Sequence, residues 1–215
     1  MLFENREHAA RLLARRLSGY YKNKKPLVLG IPRGAIPMAK IIADSLGGEL
    51  DVVLVRKLGH PSQPELAIGA IDESGNVFLS DYALDVEPEY LEGEKARQLE
   101  ILRRRRAQYT PSRPPIDPCN RIVIVVDDGI ATGSTMTAAL RAVLRQNPKR
   151  LVGAVAVAST SAARAMAHEA DAMVCLNVPV DFRAVGQFFK DFSQVLDEDV
   201  VAILQKHESK ASAVG

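Results

Sequence analysis

Residues 122–135 read IVIVVDDGIATGST: five apolar residues, two adjacent aspartates, then a short run of glycines and hydroxyls. Desolvating two neighbouring carboxylates is costly, and their mutual repulsion makes it costlier. Asp127 and Asp128 are therefore expected at the open end of a strand, facing water, a metal or a polyhydroxyl ligand. Beyond them Gly129 and Gly133 permit tight turns, and Thr132, Ser134 and Thr135 place hydroxyls where a helix begins. The unpaired N–H groups and dipole of such a helix start favour a phosphate. Carboxylates beside a phosphate repel it unless they grip another part of the same ligand, and vicinal sugar hydroxyls are suitable donors. A ribose 5-phosphate moiety satisfies both halves.

Three further stretches carry chemistry-bearing residues. LGIPRGAIPMA (29–39) puts glycines and proline at a strand end, with Arg33 offering a planar cationic fork for phosphate oxygens. A plain strand-to-helix turn would use the same residue types. In VRKLGHPSQPELAIGAI (55–71), Arg56 and Lys57 end a strand and enter a polar loop containing His60, Pro61, Pro64 and Glu65. VPVDFRAVGQFFKDF (178–192) is rich in phenylalanine, a composition equally suited to a core or to an aromatic binding wall.

Taken together these stretches resemble the type I phosphoribosyltransferases, closest in character to stand-alone bacterial members, over roughly residues 26–192. The resemblance implies a substrate, phosphoribosyl pyrophosphate (PRPP), whose ribose hydroxyls meet Asp127 and Asp128. Its 5-phosphate would meet the loop Gly129, Ile130, Ala131, Thr132, Gly133, Ser134 and Thr135. Pro32, Arg33 and Gly34 correspond to the pyrophosphate loop, in which Pro32–Arg33 is the bond analogous to a cis peptide. Arg56 and Lys57 correspond to the start of a closing loop that excludes water. His60 is out of register with that loop, and its role and that of Glu65 are left open.

Phe182 and Val185 correspond to base-binding positions, although Arg183 falls where the stacking aromatic belongs. Asp191, one residue late for the metal contact, is the candidate metal residue, and Mg²⁺ itself is expected to arrive on PRPP. Ala131 stands where some purine enzymes place an acid. The implied reaction is transfer of ribose 5-phosphate to a nitrogen acceptor, a purine or pyrimidine base, with catalysis by Arg33, Arg56 and Lys57. A PRPP- or nucleotide-sensing regulator on the same fold is the alternative. Family members commonly pair, which implies a homodimer.

The elements around these residues alternate strand and helix, which specifies an α/β fold: a mainly parallel twisted sheet flanked by helices. The resemblance adds a small hood from the chain ends and a flexible hairpin loop. An amphipathic helix over 3–19 precedes the strands PLVLGI and LDVVLVRK, with the helix AIPMAKIIADSL between them. LAIGAI and VFLS flank the turn DESGN as a hairpin. In the helix 87–109, glutamates crowd the start and arginines the end, matching the dipole. TPSRPPIDP breaks it. Strands at 121–128, 151–159 and 172–178 follow, with helices at 134–146 and 161–170 between them.

The 215 residues, 47% apolar and 25% charged, suit one domain over 1–206, with 207–215 expected as a disordered tail. A net charge of +2 is too mild to argue for nucleic acid, and the four arginines 103–106 point in different directions on a helix, as a solvated face or an oligomer contact. Cys119 and Cys175 lack metal-site spacing and read as reduced thiols. No apolar run spans a bilayer and the first residues lack signal-peptide order, so a cytoplasmic location without membrane contact is expected.

Overall fold

A computed structural model describes residues 1–64 and 66–212. Helix α1 (Arg6–Tyr21) starts at Asn5, whose side-chain oxygen accepts a hydrogen bond from the His8 amide at 2.9 Å. β1 (Leu27–Gly30), α2 (Ile36–Leu46) and β2 (Glu49–Val52) form the first crossover unit. After a smaller antiparallel sheet of β3 (Val55–Gly59), β4 (Ala67–Asp72) and β5 (Val77–Leu79) comes the long helix α3 (Pro88–Tyr109). The chain then runs through β6 (Ile122–Ile130), α4 (Ser134–Leu144), β7 (Arg150–Ala158), α5 (Thr160–Met166), β8 (Ala172–Asn177) and α6 (Asp197–Ser212).

The main sheet has the order β2-β1-β6-β7-β8, every pair parallel. Helices cover both faces, which explains why its strands read as continuous apolar runs. On β6, Ile124 and Val126 enter a core shared with α1 and α2, while Val123 and Val125 enter a second core shared with α4 and α5. This is the mainly parallel, helix-flanked sheet that the alternation of elements specifies.

From β1 the chain crosses by α2 to β2 on one side; from β6 it crosses by α4 to β7 on the other. The connections therefore diverge between β1 and β6. In open α/β sheets such a divergence opens a crevice at the carboxyl ends of the strands, where ligands bind.

The hairpin around DESGN forms as expected. Asp72 Oδ1 accepts from the amides of Ser74 and Asn76, each at 2.9 Å, and Gly75 takes φ +86°. Two expectations change. The run LDVVLVRK is two strands in two sheets. Val53 still donates to the Gly30 carbonyl at 3.1 Å, but from Val55 the chain pairs antiparallel with β4. Val53 and Leu54 lie in different cores, so uninterrupted hydrophobicity hides the crossing.

The second change is α6, whose helix continues through residues 207–212 of the expected tail; residues 213–215 lie outside the described residues. The helix carries Asp197, Glu198 and Asp199 in its first turn, favourable at the dipole's positive end. Val200 and Leu204 are buried from it. The chain ends also meet: Phe3 bridges to Phe189, and the amides of Lys190 and Asp191 donate to the carbonyls of Phe3 and Glu4, each at 2.9 Å. These pairings build the hood.

Candidate active site

β1 ends at Gly30, level with Val126 of β6. β6 itself continues to Ile130 alongside β7, with Asp127 level with Val155. The two aspartates thus lie within the last four residues of a strand rather than at its end, on the part that β1 no longer flanks. They are also recessed rather than open to water: the Asp128 side chain keeps 14% exposure. Burial pushes Asp127 well above the ordinary carboxylate range, and the neighbouring charge of Asp128 adds to the rise. Burial also raises Asp128, but Arg6 opposes it with a hydrogen bond and its charge.

Arg6, the first residue of α1, is a site residue that the sequence does not single out. Its Nε donates to Asp128 Oδ2 at 2.8 Å and its Nη1 to the Ser193 carbonyl at 2.7 Å. The guanidinium lies 3.8 Å over the Phe192 ring, a cation–π contact. Arg11, Arg15 and Arg16 share its helix, and nothing in their local context distinguishes Arg6 from them.

The loop after β1 closes the other side. The Pro32–Arg33 peptide is cis. Gly34 lies so close to the acidic strand that a Cβ there would collide with Asp128 Oδ2 and stand 3.2 Å from Arg6 Nε. Arg33 reaches Asp197 of α6, Nη1 to Oδ2 at 3.3 Å. Arg6, Arg33, Gly34 and Asp128 line one pocket of about 470 Å³ with Val185, Phe192, Gln194 and Val195.

Past the acids, Gly133 takes φ +86° and caps α4 with no side-chain hydrogen bond. Thr137 donates to the Gly133 carbonyl at 2.8 Å; apart from a long 3.5 Å approach of the Ser134 amide to Thr132 Oγ1, the amides of Ser134, Thr135 and Met136 are left to an external acceptor. Ala131, Thr132, Ser134 and Thr135 around them are exposed. Ser159, at the end of β7, ties the loop down: its Oγ donates to the Ala131 carbonyl at 2.6 Å, and its amide donates to the Ile130 carbonyl at 3.0 Å. The loop, fixed by a neighbouring strand, is thus shaped to cradle an anion.

The remaining candidates separate. Val185 packs directly over Gly129, where a Cβ would stand 2.6 Å from its Cγ1, so Val185 belongs to the pocket. Phe182 instead stacks on Phe188, ring centres 5.6 Å apart, and does not line the pocket; it and Phe192 both pack against the core, but Phe192 is the aromatic residue on the pocket wall. Asp191 caps its own turn, accepting from the Ser193 hydroxyl and from the Ser193 amide at 3.0 Å. Both bonds hold it below the ordinary range.

Arg56 bonds through Nε to Gln98 Oε1 on α3 and does not line the pocket with Arg33. Lys57, the next residue on an extended strand, faces the opposite way, on the side of Val55, which packs into the α4 core. His60 Nδ1 accepts from the Ser62 amide at 3.2 Å within its own turn, and Glu65 lies outside the described residues. Of the four arginines 103–106, Arg106 turns inward rather than onto a solvated face: it pairs with Asp51 at 2.8 Å and Glu73 at 2.6 Å inside the fold. Among the described residues no group of three or more histidine, cysteine, aspartate or glutamate side chains is placed to hold a metal ion, and no helix is long and apolar enough to cross a membrane.

Comparison with known proteins gives a consistent result. Residues 2–192 match the phosphoribosyl transferase domain family. Two Mycobacterium tuberculosis proteins, MT0597 of strain CDC 1551 / Oshkosh and Rv0571c of strain ATCC 25618 / H37Rv, are each 40% identical over 216 residues. Their own names assign phosphoribosyl transferase activity only provisionally. The match covers 99% of this chain but 48% of theirs, so the chain spans about half the length of these curated relatives. TT1426 from Thermus thermophilus, solved by crystallography, is 48% identical with a TM-score of 0.86, covering 96% of this chain and 99% of that one.

Proposed function

Because the chain belongs to the phosphoribosyl transferase family, a glycosyltransferase-type class of enzyme, we propose that it transfers ribose 5-phosphate from PRPP to a nitrogen acceptor, releasing pyrophosphate. The observation that supports this best is the convergence at the β1–β6 divergence. There the Arg33–Gly34 loop abuts Asp128, while the anion cradle of residues 131–135 begins three residues beyond that acid.

In this reading Asp127 and Asp128 hold the ribose hydroxyls and the α4 amides hold the 5-phosphate. Asp128 has a second oxygen beyond the one taken by Arg6, so it can accept a hydroxyl without breaking that pair. Arg33 stabilises the departing pyrophosphate, the charge that develops as the bond to C1 breaks. Val185 and Phe192 form apolar walls for a purine or pyrimidine base beside C1. Lys57, rather than Arg56, is the member of that dipeptide disposed toward the phosphate side.

Adjacent recessed carboxylates are a suitable oxygen set for a hard cation, and Asp127 and Asp128 are the residues that would face Mg²⁺ arriving with PRPP. When bound, Mg²⁺ supplies charge neutralisation at the pyrophosphate oxygens. The test is PRPP-dependent pyrophosphate release across a panel of bases, alongside calorimetric titration with PRPP and Mg²⁺. Absence of binding by folded protein refutes the proposal.

A PRPP- or nucleotide-sensing role is the second reading, favoured by one observation: Arg56 is engaged with α3 instead of standing ready to close. PRPP binding without pyrophosphate release from any base would select it. The chain's cytoplasmic location and pairing as a homodimer belong to the same proposal, each open to a direct measurement by fractionation and by light scattering.

A further inference from the structure

Arg33 is held by two elements far from it in sequence. Tyr109, the last residue of α3, is fully buried, and its hydroxyl donates to Asp197 Oδ1 at the start of α6. The other oxygen of that carboxylate, Oδ2, accepts from Arg33 Nη1 at 3.3 Å. Arg33 and Asp197 keep 36% and 29% side-chain exposure, so their contact sits on the pocket wall while Tyr109 anchors it from the core. A carboxylate bonded at both oxygens cannot turn freely, and the guanidinium it holds inherits that orientation. The Tyr109 hydrogen bond also holds Asp197 below the ordinary carboxylate range, keeping it charged toward Arg33.

We propose that Tyr109 and Asp197 are positioning residues that aim the Arg33 guanidinium at the pyrophosphate group of the substrate before it arrives, and that delivering Tyr109 is one task of helix α3. The proposal rests on the assignment of Arg33 to pyrophosphate made above. Two effects of Asp197 oppose each other. Its charge repels a bound diphosphate, while its grip removes the cost of ordering a long side chain. The pair is partly exposed, where repulsion is screened. The ordering effect dominates.

The sign of the effect decides the matter. Inorganic pyrophosphate with Mg²⁺ is titrated calorimetrically into the wild type, Tyr109→Phe and Asp197→Asn, then into the same two changes in an Arg33→Ala background. Phe keeps the buried ring and removes only the hydroxyl, so a folded protein is retained for measurement. Both single variants are expected to bind pyrophosphate about 3- to 10-fold more weakly, the cost of ordering one flexible side chain; once Arg33 is absent, Tyr109→Phe is expected to leave affinity unchanged and Asp197→Asn to leave it equal or slightly higher, because only the screened repulsion remains to be relieved. Equal or tighter binding by the single variants overturns the proposal, as does a loss that persists without Arg33. If the wild type binds neither pyrophosphate nor PRPP, the assignment of Arg33 falls first and this proposal with it.

Discussion

Arg6 Nε stands 2.8 Å from Asp128 Oδ2, so the acid proposed to meet a sugar already carries a cationic partner from the first turn of the first helix. The pair is 13% and 14% exposed. Asp127 beside it accepts instead from a neutral group, the Asp128 amide at 2.9 Å. The two aspartates are alike in sequence and unlike in electrostatics.

Arg6→Met is expected to raise the pKa of Asp128, because the charge that opposes burial is gone. PRPP binding that needs an ionised Asp128 should then be lost at higher pH than in the wild type. Calorimetric titration at several pH values checks this; a midpoint that stays put or moves down refutes the role of Arg6.

Asp127→Asn is expected to stabilise the fold at neutral pH while weakening PRPP binding. Its folded pKa lies above the unfolded value, so its contribution to stability is fully present below about pH 4 and is lost as pH rises through the folded pKa. Removing the acid abolishes that loss. Thermal melts should show a gain at neutral pH that shrinks on acidification toward the unperturbed aspartate value, roughly pH 4.

Gly34→Ala puts a methyl group against Asp128 Oδ2 and within 3.2 Å of Arg6. The loop must retreat from the acidic strand, at a cost of about 1–3 kcal/mol typical of overpacking. Denaturant unfolding measures the cost, and PRPP affinity should fall by more than the stability change alone accounts for.

Away from the pocket, Asp51 is 1% exposed and receives Arg106 Nη1 at 2.8 Å and Arg113 Nη1 at 2.9 Å. Burial works to raise its pKa, but the two guanidiniums outweigh it and the net shift is downward. Its stability contribution is therefore present above the unfolded value and lost as pH falls through the lower folded one. Arg106→Leu leaves Asp51 with Arg113 as its remaining cation and should cost up to about 3 kcal/mol at neutral pH, measured by denaturant unfolding.

The main sheet and the acid–cradle segment are legible in the sequence because both rest on local pattern: apolar strands, a doubled acid, glycine where φ must be positive. Gly133 at φ +86° is such a case. What escapes a reading of the sequence depends on contacts between distant segments. Arg6 joins Asp128 across 122 positions and Arg33 joins Asp197 across 164, and neither leaves a local signature. Phe182 and Phe192 are equivalent as text and both pack against the core; only the hood's path brings one of them, Phe192, under Arg6 and onto the pocket wall. Helix α6 does carry a local signature, an acidic first turn ahead of Val200, Val201, Ile203 and Leu204, but the polar residues from His207 onward mask its continuation.

Arg56 and Lys57 occupy successive places on β3, one fastened to Gln98 and the other turned toward the α4 side. An extended backbone makes that opposition permanent: the hairpin cannot swing both cations inward together. If the hairpin tilts to carry Lys57 over the substrate proposed above, that tilt must tug on the Gln98 tether, and the long helix would brake its travel.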